Sequence, residues 1–164
     1  MRPRDHRHLA LLAVVLLAAG LGGTGCSNPT AGQQSDVARR GAEVMPFDLN
    51  ATTHSFTKTS DGGIQLVTAD DPGDSTQIGL IREHLQKERE SFSRGDFEDP
   101  ARIHGMDMPG VAELTTGYRR IAVTYSETPA GAGLRYTTGD AHLVDAVHAW
   151  FDRQVMDHSQ PGAG

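Results

Sequence analysis

Residues 53–68 read THSFTKTSDGGIQLVT, and the architecture follows from this pattern. Small polar residues alternate with larger ones up to Thr57, and an apolar, β-branched run extends from Ile64 to Thr68. Between the two runs lies Asp61-Gly62-Gly63, a sequence typical of a tight turn. Two β-rich runs around such a turn predict an antiparallel hairpin.

An amphipathic helix is predicted after this hairpin, from about Ser75 to Ser93. Asp70-Asp71-Pro72 favours a helix start, and Asp74 or Ser75 can cap it. Gly95 ends the helix. Its apolar residues recur at helical spacing: Ile78, Ile81, Leu85 and Phe92.

The second half of the chain repeats this order. Residues 120–125 (RIAVTY) and 134–138 (LRYTT) flank the turn 128–131 (TPAG), and Gly139-Asp140 precedes a second helix. The apolar stripe of that helix is Leu143, Val144, Val147, Phe151 and Val155. The two halves predict an α+β domain, ββα-ββα, in two layers: a four-stranded antiparallel sheet with two helices on one face.

The N-terminal residues 1–26 resemble a bacterial lipoprotein signal. Three arginines precede an apolar run at 9–21, and small residues lead to Cys26, the only cysteine of the chain. This order is typical of a secretory signal, and the run is shorter than the ~20 residues that span a bilayer. We expect Cys26 to be lipidated and to anchor the protein to the extracytoplasmic side of the cell membrane.

Gly23 departs from the lipoprotein pattern, which usually has Leu or another aliphatic residue three positions before the cysteine. Two alternatives stay open: a secretory signal cut near Gly25 with Cys26 as an incidental thiol, or an uncleaved membrane anchor. Residues 27–44 are rich in Ser, Gly, Gln and Ala and predict a flexible tether. Residues 45–160 then form a single domain.

The charge of the chain argues against some classes of partner. The whole sequence has a formal charge of −6, and the signal holds three of its 15 basic residues and one of its 21 acidic residues. The mature part is therefore near −8. Nucleic acid and anionic lipid surfaces both favour basic patches, so neither is an expected partner.

Histidine and methionine residues predict a metal site. The connection Asp96–Gly117 is longer than the usual ~4–6 residues and contains His104, Met106 and Met108 in alternation. Imidazole and thioether groups suit Cu(I), and Cu(II) when further nitrogens join.

Each predicted helix adds a histidine at the edge of its apolar stripe. His84 is followed one turn later by Glu88, and His148 by Asp152, so a carboxylate is placed to orient each ring. Since the two helices lie side by side in the two-layer arrangement, we expect the two histidines to approach each other beneath the central connection. The predicted copper-type site comprises His84, His104, Met106, Met108 and His148.

The alternative is a non-metal protein-interaction module of the cell envelope, in which the histidines are structural and the methionines fill gaps in the packing. His54 alternates with polar residues and is expected to face water. No Gly-rich phosphate loop, G-x-S-x-G or H-E-x-x-H motif occurs, so catalysis is not expected.

From Met45 onward the chain resembles a family of small uncharacterised bacterial proteins, largely actinobacterial, that often carry the label aspartate carbamoyltransferase. The matching stretches are residues 45–65 (MPFDLNATTHSFTKTSDGGIQ), 80–85 (LIREHL), 95–110 (GDFEDPARIHGMDMPG) and 148–158 (HAWFDRQVMDH). The S-T-R-T signature by which the true enzyme binds carbamoyl phosphate is absent. The resemblance implies a soluble domain to which an export signal has been added, and it implies no activity.

Overall fold

The computed structural model describes residues 30–105 and 107–158, so Cys26 and Met106 lie outside the described residues. Within these residues, five α-helices, four strands and one 3-10 turn follow one another. Their order is α1 (Ala31–Val44), β1 (Thr52–Thr59), β2 (Gly62–Ala69), α2 (Ser75–Phe92), α3 (Glu98–His104), α4 (Val111–Gly117), the 3-10 turn (Tyr118–Arg120), β3 (Ala122–Thr128), β4 (Gly131–Thr137) and α5 (Ala141–His158).

The four strands form one antiparallel sheet in the order β1-β2-β4-β3. The first hairpin turns where the sequence predicts it, with Thr59 opposite Gly62. Gly62 has a φ of 142°, and a Cβ there would lie 2.2 Å from the carbonyl oxygen of Tyr136. This turn therefore requires glycine both for its backbone angle and for its approach to β4.

Both long helices cover the same face of the sheet, as the two-layer prediction requires. α2 follows the first hairpin but packs mainly over β4 and β3, whereas α5 follows the second hairpin and packs over β1 and β2. Each helix thus buries its apolar stripe largely against the hairpin of the other half. The two ββα units are interlocked and share a single core.

Aromatic side chains fill the centre of that core. Trp150 and Phe151 of α5, Tyr136 of β4 and Phe92 of α2 are all buried. The Trp150 ring lies edge-on to Phe92 and to Tyr136, with ring centroids 5.7 and 5.5 Å apart. Edge-to-face pairs of this kind add stability beyond the burial of their area.

The prediction of a flexible tether over residues 27–44 is wrong from Ala31 onward, because α1 is a helix docked on the domain. Thr30 and Gln33 form a capping box, in which each side chain accepts a hydrogen bond from the backbone N–H of the other. Val37 is 3% exposed, and α1 packs against α3 and α5. The capping box and the burial of Val37 thus stabilise α1, although its sequence shows no helical spacing of apolar residues.

Two short helices, α3 and α4, lie in the connection between the two halves. Gly110 caps α4 in a left-handed conformation, with φ 82°. A Cβ at this position would lie 2.1 Å from the carbonyl oxygen of Ala146, so α4 can lie this close to α5 only with glycine there. None of the described helices has the length and apolar character needed to cross a membrane.

Candidate functional site

A small cavity of about 30 Å³ lies between the helices and the sheet. Its polar lining includes His54 of β1, His84 and Glu88 of α2, Asp99 and His104 of α3, and Trp150 of α5. A cavity needs roughly 10–15 Å³ to hold one water molecule, so this one accommodates an ion or one to two molecules of that size. It is too small to enclose an organic substrate in its present shape.

His84 and Glu88 form a buried pair within α2. His84 Nε2 lies 4.0 Å from Glu88 Oε1, and the histidine ring packs edge-on against Phe47 with ring centroids 5.6 Å apart. Burial lowers the pKa of His84, although the nearby Asp99 carboxylate opposes this. The imidazole is consequently neutral at pH 7.

Glu88 is a buried acid among other acids. It is only 7% exposed, and its pKa is raised to about 8, chiefly by burial and then by the charge and hydrogen bonding of Asp99 and the charge of Asp96. The described cavity lining contains neither lysine nor arginine. With no cation beside it, Glu88 retains its proton near neutral pH.

His104 is held by a carboxylate on another helix. Its Nδ1 lies 2.7 Å from Asp157 Oδ2, and Arg153 Nε donates to the same oxygen across 2.9 Å. Burial lowers the pKa of His104, against the opposing effect of Asp157. Since a carboxylate accepts hydrogen bonds, the neutral ring carries its proton on Nδ1 and its lone pair on Nε2.

Trp150 adds a buried donor to the cavity wall. The residue is 1% exposed, and its Nε1 has no hydrogen-bond partner among the described residues. A buried indole N–H normally has an acceptor.

The expected approach of His148 to His84 is wrong. His148 Nε2 donates to the carbonyl oxygens of Thr59 and Gly62, both at 2.9 Å, and so ties α5 to the hairpin turn. Thr59 lies five residues along β1 from His54, which at about 3.4 Å per residue separates these two residues by roughly 17 Å. Asp152 forms an ion pair with Lys58 instead of orienting the ring.

The methionines do not complete the predicted cluster either. Met108 is buried in the apolar core and does not line the cavity. Met106 lies outside the described residues. Of the five predicted ligands, His84 and His104 therefore line one cavity, whereas His148 and Met108 lie elsewhere.

The prediction that His54 faces water is wrong. It lies on the helix-covered face of β1, with its ring 5.7 Å from Phe47, and it lines the cavity together with the thioether residue Met45. The alternation of side chains along the strand indicated the correct position, because His54 and the apolar Phe56 are two residues apart and therefore lie on the same face. No sequence pattern indicated that Asp99 and Asp157 would lie at the cavity or contact its histidines.

The cavity is not a preformed metal centre. Among residues 30–105 and 107–158, no three or more His, Cys, Asp or Glu side chains are arranged to hold a metal ion. Compared with known proteins, the chain matches no protein family, no curated protein and no solved structure.

Proposed function

We propose that this chain is an extracytoplasmic lipoprotein domain that binds a transition-metal ion, copper being the metal its donor set favours. The observation that carries the proposal is that His54, His84, His104 and the thioether residue Met45 line a single cavity of about 30 Å³. Three imidazoles with one thioether suit copper better than harder ions such as Mg²⁺ or Ca²⁺.

The protonation of the histidines supports this proposal. Metal binding requires neutral imidazole, and burial lowers the pKa of both His84 and His104. The contact between Asp157 and His104 Nδ1 is the kind of outer carboxylate contact that orients metal-ligating histidines. Because the donors do not yet converge, binding requires at least one of these rings to change rotamer.

The size of the cavity favours binding over catalysis. An ion fits in about 30 Å³, whereas an organic substrate would have to open the helical layer. We therefore propose no enzymatic activity. Failure to bind metal would leave a protein-interaction module of the envelope as the function to test.

The test is a titration of the full-length chain, in mild detergent, with Cu(I) and Cu(II) against competing chelators. We expect one equivalent bound, with affinity reduced at least about tenfold by His104→Gln and by His54→Gln. His148→Gln is the matched control, because it removes a half-buried, hydrogen-bonded histidine outside the cavity. Absence of binding, or an equal loss in the control, would exclude this site.

The location is tested separately through Cys26. If the thiol is acylated, Cys26→Ser abolishes fatty-acid labelling and releases the protein from membranes. Membrane retention of the variant would instead indicate an uncleaved anchor. Neither result depends on the outcome of the copper titration.

A further inference from the structure

The strand β3 forms an end of the sheet and carries little protection on its outer side. Its inner side pairs with β4 without interruption, from Ala122 opposite Thr137 to Thr128 opposite Gly131. Its outer backbone groups have no strand partner among the described elements. Proteins commonly protect such edges with lysine, proline or a bulge. β3 has none of these, and its single charged side chain, Glu127, is paired with Arg82.

The other end of the sheet differs in this respect. β1 carries Lys58, which forms an ion pair with Asp152 of α5. Inward or edge lysines are a recognised means of preventing strand addition. The contrast singles out β3 as the edge open to another strand.

A groove runs beside this edge. It is lined by Gln86, Arg89 and Glu90 of α2 and by Val123, Thr124 and Tyr125 of β3. The hydroxyl of Tyr125 is buried and has no hydrogen-bond partner in the described structure. A buried tyrosine hydroxyl normally has one. The hydroxyl itself is enclosed, whereas the outer backbone groups of β3 beside it have no strand partner among the described elements.

The groove is complementary to the same groove on a second copy of the chain. β3 has seven residues with Tyr125 at its centre, so two antiparallel copies related by a two-fold axis at Tyr125 pair along their whole length. Thr124 then lies opposite Ser126 of the second copy. Arg89 and Glu90 are neighbouring opposite charges, 3.4 Å apart, and the same axis brings Arg89 of one copy towards Glu90 of the other.

We propose that β3 is a dimerisation edge, on which β3 of a second copy of this chain pairs antiparallel and joins the two four-stranded sheets into one. The occupant is a second copy because register and charge are both self-complementary about Tyr125. This inference does not depend on metal binding, since the groove shares no lining residue with the histidine cavity.

The experiment measures the mass of the full-length chain in mild detergent by sedimentation and native mass spectrometry. We expect a dimer. The double variant Thr124→Lys, Ser126→Lys places lysine opposite lysine across the axis and raises the dimer dissociation constant at least about tenfold. The double variant Thr124→Lys, Ser126→Glu places lysine opposite glutamate and retains the dimer.

The control carries the same charges on the other edge strand, as Ser55→Lys, Thr57→Lys on β1, and stays dimeric. A monomeric wild-type chain overturns the proposal, as does a dimer that both β3 variants weaken equally. Circular dichroism melting of each variant shows that the fold persists. A monomer that pairs with an extended peptide at β3 would also contradict the self-association proposed here.

Discussion

His104 and Asp157 are in direct contact, with Nδ1 and Oδ2 2.7 Å apart, although 53 residues separate them in the chain. The contact joins the end of α3 to the last turn of α5. Arg153 donates to the same carboxylate oxygen from one turn earlier in α5. Two donors on one buried oxygen make Asp157 a fixed point for the wall of the cavity.

Replacing this carboxylate is expected to be costly. Asp157→Asn removes the charge that holds His104 and Arg153, and a buried hydrogen bond to a charged group contributes about 1.5–3 kcal/mol. The free energy of unfolding, measured in urea, should fall by that amount. The control, Asp152→Asn, removes an exposed ion pair with Lys58 and should cost less than about 1 kcal/mol. Equal losses would contradict the role assigned to Asp157.

Glu88 makes the stability of the fold decline as pH rises. Its pKa rises from an ordinary 4.5 to about 8 on folding, so the folded protein holds a proton that the unfolded chain has released. This contribution is fully present below pH 4.5 and is lost as pH rises towards 8, at up to about 1.4 kcal/mol per pH unit. Unfolding measured across this range should show the decline.

The variant Glu88→Gln replaces the protonated acid with a neutral group of the same shape and should remove that decline. Glu83→Gln changes an exposed acid on the same helix and should keep it. A wild-type stability that stays constant between pH 5 and pH 8, or a Glu88→Gln profile that matches wild type, would exclude a proton on Glu88.

Two of the three cavity histidines, His84 and His104, make stability decline towards acid pH. Burial lowers the pKa of His84 and His104, so the unfolded chain takes up protons near pH 6.5 that the folded chain refuses. Their contribution is present above pH 6.5 and is lost as pH falls below it. In a Glu88→Gln background the acid-side loss should remain, and adding His104→Gln should make it shallower. A profile unchanged by His104→Gln would place that histidine outside this effect.

Substitution by alanine at two glycines should change the stability of the fold in opposite directions. Gly79 lies in the exposed interior of α2 with nothing within 4 Å of a new Cβ, so Gly79→Ala should stabilise the fold by up to about 1 kcal/mol. Gly110 has φ 82° and would place its Cβ 2.1 Å from Ala146 O. Gly110→Ala should destabilise by at least about 1–2 kcal/mol. Thermal unfolding of the pair gives the comparison.

The docking of α1 predicts that the helix contributes to the stability of the domain. Val37→Ala removes buried apolar volume and should lower the free energy of unfolding by about 2 kcal/mol. The neighbouring Ala38 is exposed, and Ala38→Ser should change it by less than about 0.5 kcal/mol. If Val37→Ala has no effect either, α1 does not contribute to the fold in solution.

The long elements could be predicted because their signals are local. The residues Asp61-Gly62-Gly63 predict the first hairpin turn, and the helical spacing of apolar residues such as Ile81 and Leu85 predicts α2. α1 could not be predicted in this way, because the apolar side chain that it buries, Val37, is covered by contacts that depend on where α3 and α5 lie. A helix held by one valine and a capping box has no apolar period for the sequence to show.

The site was only half predictable for the same reason. His84 and Glu88 are one helical turn apart, so their contact follows from local spacing. The position of His148 depends on α5 crossing over β1 and β2, which no residue of α5 specifies by itself. Its ring therefore lies against the carbonyl groups of the hairpin rather than beside His84.

The amino-acid sequence by itself determined the two ββα units and the face that each helix buries, because side-chain periodicity and turn chemistry act over a few neighbouring residues. Tertiary structure alone decided which histidines share a cavity. Each helix packs on the hairpin of the other half, and that choice sets distances between residues far apart in the chain. His54, His84 and His104 line one cavity, and His148 lies at the hairpin turn, because the helical layer was assembled across the two halves.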